Sequence, residues 1–307
     1  MNNGPLVSVI IPNYNHARYL EQRLDSVFNQ TYQNFEVIFL DDCSSDNSLE
    51  VIEKYKDNPH LSQIAVNEVN SGSPFKQWDK GIKMAKGDLI WIAESDDYCE
   101  LNMLEELVKA FEEKNNVALA FSSYVMFDDE GGKYVPPVHG TQYYSGDAFV
   151  SRWMTQECVV KNASGAVFRK SALTYVTDEY LRFKQCGDYM FWTMLAGTGT
   201  VAFVNKNLTY FRISSGSVTS CNISSGLFAF ENKTIFDVIC ERYRPGWLAR
   251  QIALASHHLN YLQCPFESEE VRGRVLSYWG IANRSVCIDK RLLWLFSKMR
   301  VHFGVLL

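Results

Sequence analysis

Two kinds of apolar pattern alternate along the first 120 residues of the chain. Short runs of consecutive apolar residues predict strands that are buried on both faces, as in a parallel sheet. Between these runs apolar residues recur at helical spacing, for example over residues 17–30. Because strands and helices alternate with short connections, we predict an α/β fold with a doubly wound, mostly parallel sheet flanked by helices. The predicted strands cover residues 7–11, 37–40, 64–66, 89–93 and 118–121.

The pattern becomes less regular in the middle of the chain. Residues 128–146 are rich in turn-forming residues and are expected to form a long loop. Beyond residue 225 the spacing of apolar residues is helical throughout. We therefore predict a first domain over residues 1–221 and a helical C-terminal appendage over residues 222–307. The other predicted elements are strands at 124–127 and 201–204 and a helix at 188–195.

The composition is that of an ordinary globular protein. Of the 307 residues 47% are hydrophobic and 21% are charged, which excludes disordered and fibrous proteins. The net charge of -5 argues against a nucleic-acid partner, since such proteins carry a basic surface. No apolar run reaches the roughly 18 residues of a membrane span. We expect a cytoplasmic protein whose eight cysteines are reduced.

Acidic residues follow two of the predicted strands. Asp41-Asp42 follows the strand at 37–40, and Glu94-Ser95-Asp96-Asp97 follows the strand at 89–93. Open α/β sheets bind ligands outside the carboxyl ends of their strands. Converging carboxylates repel each other unless a cation lies between them, and oxygen ligands suit Mg²⁺ or Mn²⁺. The alternative is that the acidic residues cap the following helices, which is the interpretation we favour for Asp46.

Several further segments, taken in order, form a recognisable set. They are SVIIPNYN at 8–15, SVFNQTY at 26–32, FEVI at 35–38 before Asp41-Asp42, SSDNS at 44–48, NSG at 70–72, AKGD at 85–88 and ESDD at 94–97. In combination these segments resemble the family 2 glycosyltransferases, which have the GT-A fold. A looser match, Gly187-Asp188 followed by Phe191-Trp192, resembles the segment that holds the catalytic base of that family.

The resemblance implies a nucleotide-sugar donor, with UDP as the nucleotide. Pro12, Tyr14 and Asn15 would line the uracil and ribose. Asp42 would accept a hydrogen bond from uracil N3–H, which suits a carboxylate because it can only accept. No GxGxxG segment follows a strand, which disfavours a dinucleotide enzyme.

The resemblance also assigns the groups that perform the reaction. Asp97 would bind a divalent cation, Mn²⁺ or Mg²⁺, which bridges the diphosphate. Neighbouring residues of an extended segment point apart, so Asp96 is expected to reach the ribose or the donor sugar. Asp188 would be the general base. If it is only a helix cap, Glu157 and Asp178 are the next candidates.

Two positions depart from the pattern of the family. Many relatives carry Arg-x-His after the last strand of this domain, whereas here Ser214 stands in the place of the His. Arg212 and Ser217 are then the candidate diphosphate contacts. An Arg common in the third segment is absent, and Lys76 is the candidate phosphate contact there, with a solvated surface lysine as the alternative.

Other noticeable side chains have simpler interpretations. Trp78 and Trp153 are expected in the core. Trp192 lies one helical turn after Asp188 and is therefore kept as a candidate for stacking on a sugar. His257 and His258 are expected to be surface or packing residues rather than metal ligands.

The sequence thus predicts a metal-dependent, inverting glycosyltransferase of surface polysaccharide synthesis. Its acceptor would be a saccharide or a lipid-linked saccharide. The alternatives are a non-catalytic scaffold that binds sugar nucleotides and a nucleotidyltransferase on a related sheet. The absence of membrane spans and of a Gln/Arg-x-x-Arg-Trp segment argues against a processive synthase.

The last segment, residues 290–307, combines an apolar helical face with basic residues. This pattern is typical of a helix lying on an anionic membrane, which predicts peripheral contact with the inner face of the cell membrane. The alternative is that the face packs on the first domain or across a homodimer. The residues of the face are Leu292, Leu295, Phe296, Met299, Phe303 and Leu306.

Overall fold

The computed structural model describes residues 4–128, 133–134, 140–213 and 223–302, without the side chains of 133–134 and 296–302. The chain divides into two compact units. The first unit comprises residues 1–146 and 160–214, and the second unit comprises residues 147–159 and 215–307. The division into domains at residue 221 was predicted from sequence, and it remains a prediction.

The first unit contains a mixed sheet whose described strands follow the order β3-β2-β1-β4-β9-β6-β10-β5, with β7 beside β6 and β8 beside β10. The pairs β3–β2, β2–β1, β1–β4 and β6–β10 are parallel. The strands β5, β7, β8 and β9 pair antiparallel with their neighbours. The strands are β1 (Val7–Asn13), β2 (Phe35–Asp41), β3 (Leu61–Val66), β4 (Leu89–Ile92), β5 (Tyr98–Cys99), β6 (Val117–Asp128), β7 (Lys133–Tyr134), β8 (Gly140–Ser145), β9 (Ala166–Arg169) and β10 (Thr200–Ile213).

Burial explains why the central strands lack an alternating pattern. Every residue of β1, β2 and β4 is buried, because helices cover both faces of the sheet. The edge strand β3 alternates between half-buried and exposed residues, as expected for a strand with only one partner. The predicted fold class, an α/β fold with a mostly parallel sheet flanked by helices, is confirmed.

Helices connect the parallel strands and supply the rest of the core. Their buried positions follow helical spacing, as in α1 with Leu20, Leu24 and Val27. In the first unit they are α1 (Ala17–Phe28), α2 (Ser48–Glu53), α3 (Pro74–Met84), α4 (Met103–Glu113) and α6 (Gly187–Ala196), with 3₁₀ helices at Ala163–Gly165, Lys170–Tyr175 and Asp178–Arg182. The short α5 (Gly146–Phe149) runs into a π-helical turn at Val150–Met154.

Two predictions for the middle of the chain were wrong. Strands predicted separately at 118–121 and 124–127 form the single strand β6, since no turn residue interrupts them. The long loop predicted over 128–146 contains β8, which pairs antiparallel with β10 from Thr200 to Asn205. Tyr143 and Tyr144 explain this strand, because aromatic residues favour β structure. Residues 129–132 and 135–139 of that segment lie outside the described residues.

The described part of the second unit is mainly helical, as its sequence pattern predicted. Its long helices are α7 (Leu227–Arg242), α8 (Trp247–Gln263), α9 (Glu269–Tyr278) and α10 (Val286–His302). Tyr261, Trp279 and Phe236 are at the centre of its hydrophobic core. Within the described residues no helix is both long and apolar enough to cross a membrane.

The two adjacent histidines of α8 are both buried. His257 packs on the ring of Trp279 at 4.1 Å between centroids. His258 Nδ1 lies 2.7 Å from Asp289, which in turn binds the guanidinium of Arg284. The expectation that these are packing residues is therefore correct, although the sequence did not reveal the acidic partner of His258.

Candidate active site

The loops after β1 and β2 are joined by hydrogen bonds at the carboxyl edge of the sheet. The register pairs Asn13 with Asp41, and Asn13 Nδ2 donates to Asp41 Oδ2 at 2.9 Å. Ser44 Oγ accepts from the backbone N–H of Asn15 at 2.9 Å. Asn15 has φ 56°, a left-handed conformation that asparagine tolerates better than most residues. These bonds hold the two loops in one arrangement.

Three of the residues predicted to bind nucleotide lie near this edge. Pro12 is buried in β1 opposite Leu40. Tyr14 and Asn15 follow directly, and the Tyr14 side chain is 48% exposed. An aromatic ring that is half-exposed at a strand end is available to stack on a base.

Asp42 lies at the centre of a buried hydrogen-bond network. Its Oδ1 accepts from the side chains of Asn67 at 2.6 Å and Gln77 at 2.8 Å and from the backbone N–H of Ser71 at 2.9 Å. Among the residues that the structure describes, the Ser71 hydroxyl alone donates to its Oδ2, at 2.7 Å. Two lone pairs are available on each carboxylate oxygen. Asp42 Oδ2 therefore retains the capacity to accept one N–H from a ligand.

Lys76 lies close to this network, in the first turn of α3. Its side chain is exposed, and Nζ donates to the backbone carbonyl of Ser71 at 3.0 Å. The first turn of α3 therefore carries Gln77, which binds Asp42, and Lys76, whose ammonium group faces solvent.

The loop after β4 positions the second acidic group. Asp97 is 2% exposed. Its Oδ2 accepts the hydroxyl of Ser164 at 2.7 Å, and its Oδ1 accepts the backbone N–H of Arg212 at 3.1 Å. Asp96 is half-buried, and its carboxylate has no hydrogen bond to the described residues. The two neighbouring carboxylates therefore have different surroundings. The segment is not extended as expected but forms a turn, in which the Asp97 N–H donates to the Glu94 carbonyl at 3.3 Å.

Arg23 provides a buried positive charge behind this loop. Its side chain is fully buried in α1, its Nε donates to the Glu94 carbonyl at 2.8 Å, and its Nη2 is 4.0 Å from Asp97 Oδ2. Burying a cation is costly unless it is paired, so this pairing explains an arginine on the apolar face of α1. The position was missed at the sequence level, although a charged residue between Leu20 and Leu24 was the signal for it.

When ionised, the carboxylates of the acidic loop carry more negative charge than their protein partners neutralise. Burial and, to a smaller extent, the nearby charge of Asp96 together raise the pKa of Glu94 to about 8. Burial likewise raises the pKa of Asp97 to about 7, with Asp96 adding to the rise and Arg23 opposing it. Both raised pKa values indicate that a bound cation would stabilise the ionised carboxylates.

The donor set suits the divalent cation that the sequence predicts. Among the described residues no three His, Cys, Asp or Glu side chains are grouped so as to hold a metal. Mg²⁺ commonly binds one or two carboxylates and completes its shell with water and substrate phosphates. Asp97 alone satisfies this requirement in ligand type and number.

Arg212 is held beside the acidic loop by several contacts. Its Nε donates to the backbone carbonyl of Asp96 at 3.0 Å. Its guanidinium carbon lies 4.2 Å from the ring centroid of Tyr19 and 4.5 Å from that of Phe127. The described contacts therefore brace the Asp96–Asp97 backbone, and a contact between Arg212 and a diphosphate stays a prediction. Ser214 and Ser217 lie outside the described residues.

Asp188 lies in the first turn of α6 and is half-buried. The preceding Gly187 is in close contact with α3, because a Cβ added to it would lie 2.5 Å from Phe75 Cδ2. Helix α3 also carries Gln77, which binds Asp42, and Trp78, whose Nε1 donates to Glu94 at 2.8 Å. One helix thus connects the start of α6 with both acidic groups.

The aromatic residues near Asp188 form core rather than a sugar platform. Trp192 is fully buried and lies 5.8 Å from Trp78 between ring centroids. Trp78 and Trp153 are also buried, as predicted. Retaining Trp192 as a candidate for sugar stacking was wrong, because α6 is buried around most of its circumference and turns this ring towards the sheet.

Ser164 is the other residue that sequence reasoning missed. It is fully buried, donates to Asp97 and accepts the backbone N–H of Glu94 at 3.0 Å. It precedes β9, the strand inserted between β4 and β6. No local sequence signal marks it, since its partners are about 70 residues away along the chain.

The fold and the acidic edge of the sheet define a nucleotide-sugar transferase of the GT-A type. The glycosyl transferase family 2 profile matches residues 8–176, more than half of the chain. The chain therefore belongs to glycosyl transferase family 2 and is a glycosyltransferase, as its sequence segments predicted.

Curated relatives agree with this assignment. The glycosyltransferase GlyG of Streptococcus pneumoniae is 29% identical over 227 residues, which cover 69% of this chain and 72% of that protein. TuaG of Bacillus subtilis, a putative teichuronic acid biosynthesis glycosyltransferase, is 24% identical over 71% of this chain and 83% of TuaG. The poly(ribitol-phosphate) β-N-acetylglucosaminyltransferase TarS of Staphylococcus aureus is 34% identical over 114 residues, which span 36% of this chain and only 20% of TarS.

Solved structures show the same fold. Residues 1–349 of S. aureus TarS in complex with UDP-GlcNAc superpose with a TM-score of 0.69 at 20% identity, over 89% of this chain and 80% of that one. The mannosyltransferase PcManGT of Pyrobaculum calidifontis, in complex with GDP-Man and Mn²⁺, gives a TM-score of 0.59 at 16% identity, over 98% of this chain and 81% of that one. The predicted GT-A fold is thereby confirmed.

Proposed function

We propose that this chain transfers a sugar from a UDP-linked donor to a saccharide acceptor, with inversion at the anomeric carbon, in the synthesis of a surface polysaccharide. The observation that carries this proposal is the arrangement of Asp42 and Asp97 at the ends of β2 and β4, which flank β1 in the sheet. The names of TarS and TuaG, and the UDP-GlcNAc complex of TarS, support the donor and the kind of product.

The nucleotide end of the donor would bind beside β1 and β2. Uracil presents one N–H between two carbonyls, and the free lone pair of Asp42 Oδ2 matches that N–H. Four hydrogen bonds hold the Asp42 carboxylate in place, so its orientation is set before the ligand arrives. Tyr14 would cover one face of the base.

The diphosphate would lie against the loop after β4. Asp97 would hold the divalent cation, which would supply charge stabilisation for the departing diphosphate. Asp96 would reach the ribose or the donor sugar. Arg212 keeps the backbone of this loop in place through its bond to the Asp96 carbonyl. Lys76, the exposed cation at the start of α3, is the second candidate for contact with the phosphates.

Asp188 would act on the acceptor. A sugar hydroxyl is a weak nucleophile, and a carboxylate directed at it takes its proton while the new glycosidic bond forms. A single base and one direct displacement give inversion. The acceptor would be a saccharide or a lipid-linked saccharide, in line with the polymers named for the relatives.

A donor screen tests the proposal. Purified protein with Mn²⁺ is incubated with common UDP-, GDP- and dTDP-sugars, and the release of nucleoside diphosphate is measured with and without oligosaccharide acceptors. We expect one UDP-sugar to be consumed. Stabilisation by ATP or NAD in a thermal-shift assay, with no response to UDP and Mn²⁺, would exclude the proposed donor site.

The cation is tested separately with Asp97→Ala. This variant should lose the increase in UDP affinity that Mn²⁺ brings, because the diphosphate then has no bound metal to contact. Circular dichroism serves as the control for folding. UDP binding that is equally tight in the parent and the variant with Mn²⁺ would show that Asp97 is not a metal ligand.

A further inference from the structure

The connection between α7 and α8 presents an exposed tryptophan. We call residues 242–248 the Trp247 tip. Trp247 is 75% exposed and the adjacent Leu248 is 45% exposed. A tryptophan that stays this exposed is unusual, since this residue is highly buried on average. Neither the donor site nor the acceptor chemistry makes use of it.

Two hydrogen bonds from Arg250 reach the backbone of the tip. Arg250 Nε donates to the Pro245 carbonyl at 2.9 Å, and its backbone N–H donates to the Gly246 carbonyl at 3.1 Å. Pro245 is buried. Arg244 has φ 45°, a left-handed conformation that is strained for a residue with a long side chain. Strain of this kind persists only where the surroundings enforce it, and it is common at functional sites.

Two arginines lie close to the exposed apolar pair along the chain. Arg242 and Arg244 are exposed on the tip. The exposed acidic residues nearby are Glu241, which precedes Arg242, and Asp147, whose charge acts on Tyr243 of the tip. The second unit carries twelve Lys and Arg against nine Asp and Glu, whereas the whole chain has a net charge of -5. Positive charge is therefore concentrated in the unit that presents Trp247.

This combination matches the boundary of an anionic lipid bilayer. Tryptophan prefers the headgroup level of a membrane, where its apolar ring and its N–H are both satisfied. Arginines beside it are attracted to acidic lipids. A stable protein interface would need about 800 Å² and some 20–30 residues on each side, far more than Trp247 and Leu248 offer.

We propose that the Trp247 tip is a membrane-docking element that inserts Trp247 and Leu248 into the interface of an anionic bilayer while Arg242 and Arg244 bind lipid headgroups. This goes beyond the proposed transferase activity and does not depend on it, because the docking residues are separate from those assigned to donor and acceptor.

Vesicle binding of the full chain tests this docking directly. Co-sedimentation is measured with vesicles of phosphatidylcholine alone and of phosphatidylcholine mixed with phosphatidylglycerol. We expect binding to the anionic vesicles only. Trp247→Ala should lower the partition coefficient by about tenfold or more, because it removes a large apolar ring. Arg242→Gln should lower it about fivefold, the equivalent of roughly 1 kcal/mol per basic residue at an anionic surface.

Two controls separate docking from general effects. Tyr175→Ala removes an aromatic side chain that is 71% exposed in the first unit, and it should leave vesicle binding unchanged. Trp247→Phe should keep most of the binding but lose the quenching of tryptophan fluorescence by brominated lipids. Melting temperatures of all variants should match the parent, since the substituted side chains are exposed.

Three results would overturn the proposal. The first is parental vesicle binding by Trp247→Ala, and the second is equal binding to neutral and anionic vesicles. The third is concentration-dependent self-association in sedimentation velocity that Trp247→Ala abolishes, without any vesicle binding, which would assign the tip to contact with a second copy. Donor hydrolysis is measured in parallel without lipid, so that failure of docking is distinguished from failure of the transferase activity.

Discussion

At the scale of single residues, Ser164 joins the two sides of the acidic loop. Its hydroxyl donates to Asp97 Oδ2 and accepts from the Glu94 backbone, while its carbonyl accepts from Trp91 Nε1 at 2.8 Å. A fully buried hydroxyl with both donor and acceptor in use is a strong positional constraint. Ser164 therefore acts on the reaction through the orientation of Asp97.

Replacing Ser164 by Ala should weaken both stability and metal-dependent binding. The Glu94 N–H is left without its partner in a buried site, which costs about 1–3 kcal/mol. We expect a lower free energy of unfolding in urea and a weaker response of UDP affinity to Mn²⁺. Ser277→Ala, at an exposed position of α9, is the matched control. Unchanged UDP binding at rising Mn²⁺ would limit Ser164 to a purely structural role.

The acidic residues at strand ends were predictable from sequence, whereas the buried residues that hydrogen-bond to them were not. Asp42 and Asp97 follow apolar runs, and parallel strands bring such ends to one edge. Ser164 reaches that edge only because β9 inserts antiparallel between β4 and β6, and a local apolar pattern carries no information about such an insertion.

At the scale of elements, the close contact between α6 and α3 positions Asp188. Gly187 permits this contact, since a Cβ there would lie 2.5 Å from the Phe75 ring and 2.6 Å from the Tyr180 carbonyl. The helix over 188–195 was predicted from sequence and is confirmed as Gly187–Ala196. Its partner could not be predicted, because helical spacing defines which face is apolar but not what covers it.

Gly187→Ala should therefore be destabilising although alanine favours helix. We expect a loss of about 1–3 kcal/mol from the steric conflict, together with reduced turnover because the start of α6 and Asp188 are displaced. Gly273→Ala is the matched control, since nothing lies within 4 Å of a Cβ at that helical position. It should stabilise by up to about 1 kcal/mol. Chemical denaturation and UDP release are the measurements, and parental values for Gly187→Ala would contradict the tight α3–α6 contact.

At the scale of the whole molecule, the buried His257 makes the stability of the second unit depend on pH. Burial lowers the pKa of His257 to about 4, while a hydrogen bond to the Thr155 carbonyl and the charge of Glu157 act in the opposite direction. The unfolded chain binds a proton near pH 6.5, but the folded chain does not. The stability contributed by neutral His257 is therefore present above pH 6.5 and is lost as the pH falls towards 4.

His257→Gln should flatten this dependence. In the parent we expect His257 to contribute a decrease of about 1.4 kcal/mol in unfolding free energy for each pH unit below 6.5. Glutamine keeps an N–H donor for Thr155 but has no titrating group. Urea denaturation across this pH range provides the test. Identical slopes for the parent and the variant would show that His257 is charged in the folded chain.

The central claim is that an acidic edge binds the donor while Asp188 activates the acceptor, and Asp188→Asn tests it most directly. UDP affinity by calorimetry and turnover by UDP release are measured on the same preparation, with the donor and acceptor found in the screen. Because asparagine caps helices nearly as well as aspartate, the melting temperature and UDP affinity should stay at parental values. Turnover should fall by about 10²–10⁴-fold through the loss of the base. Transfer at near-parental rates would contradict the account and move the search for the base to Glu157 and Asp178.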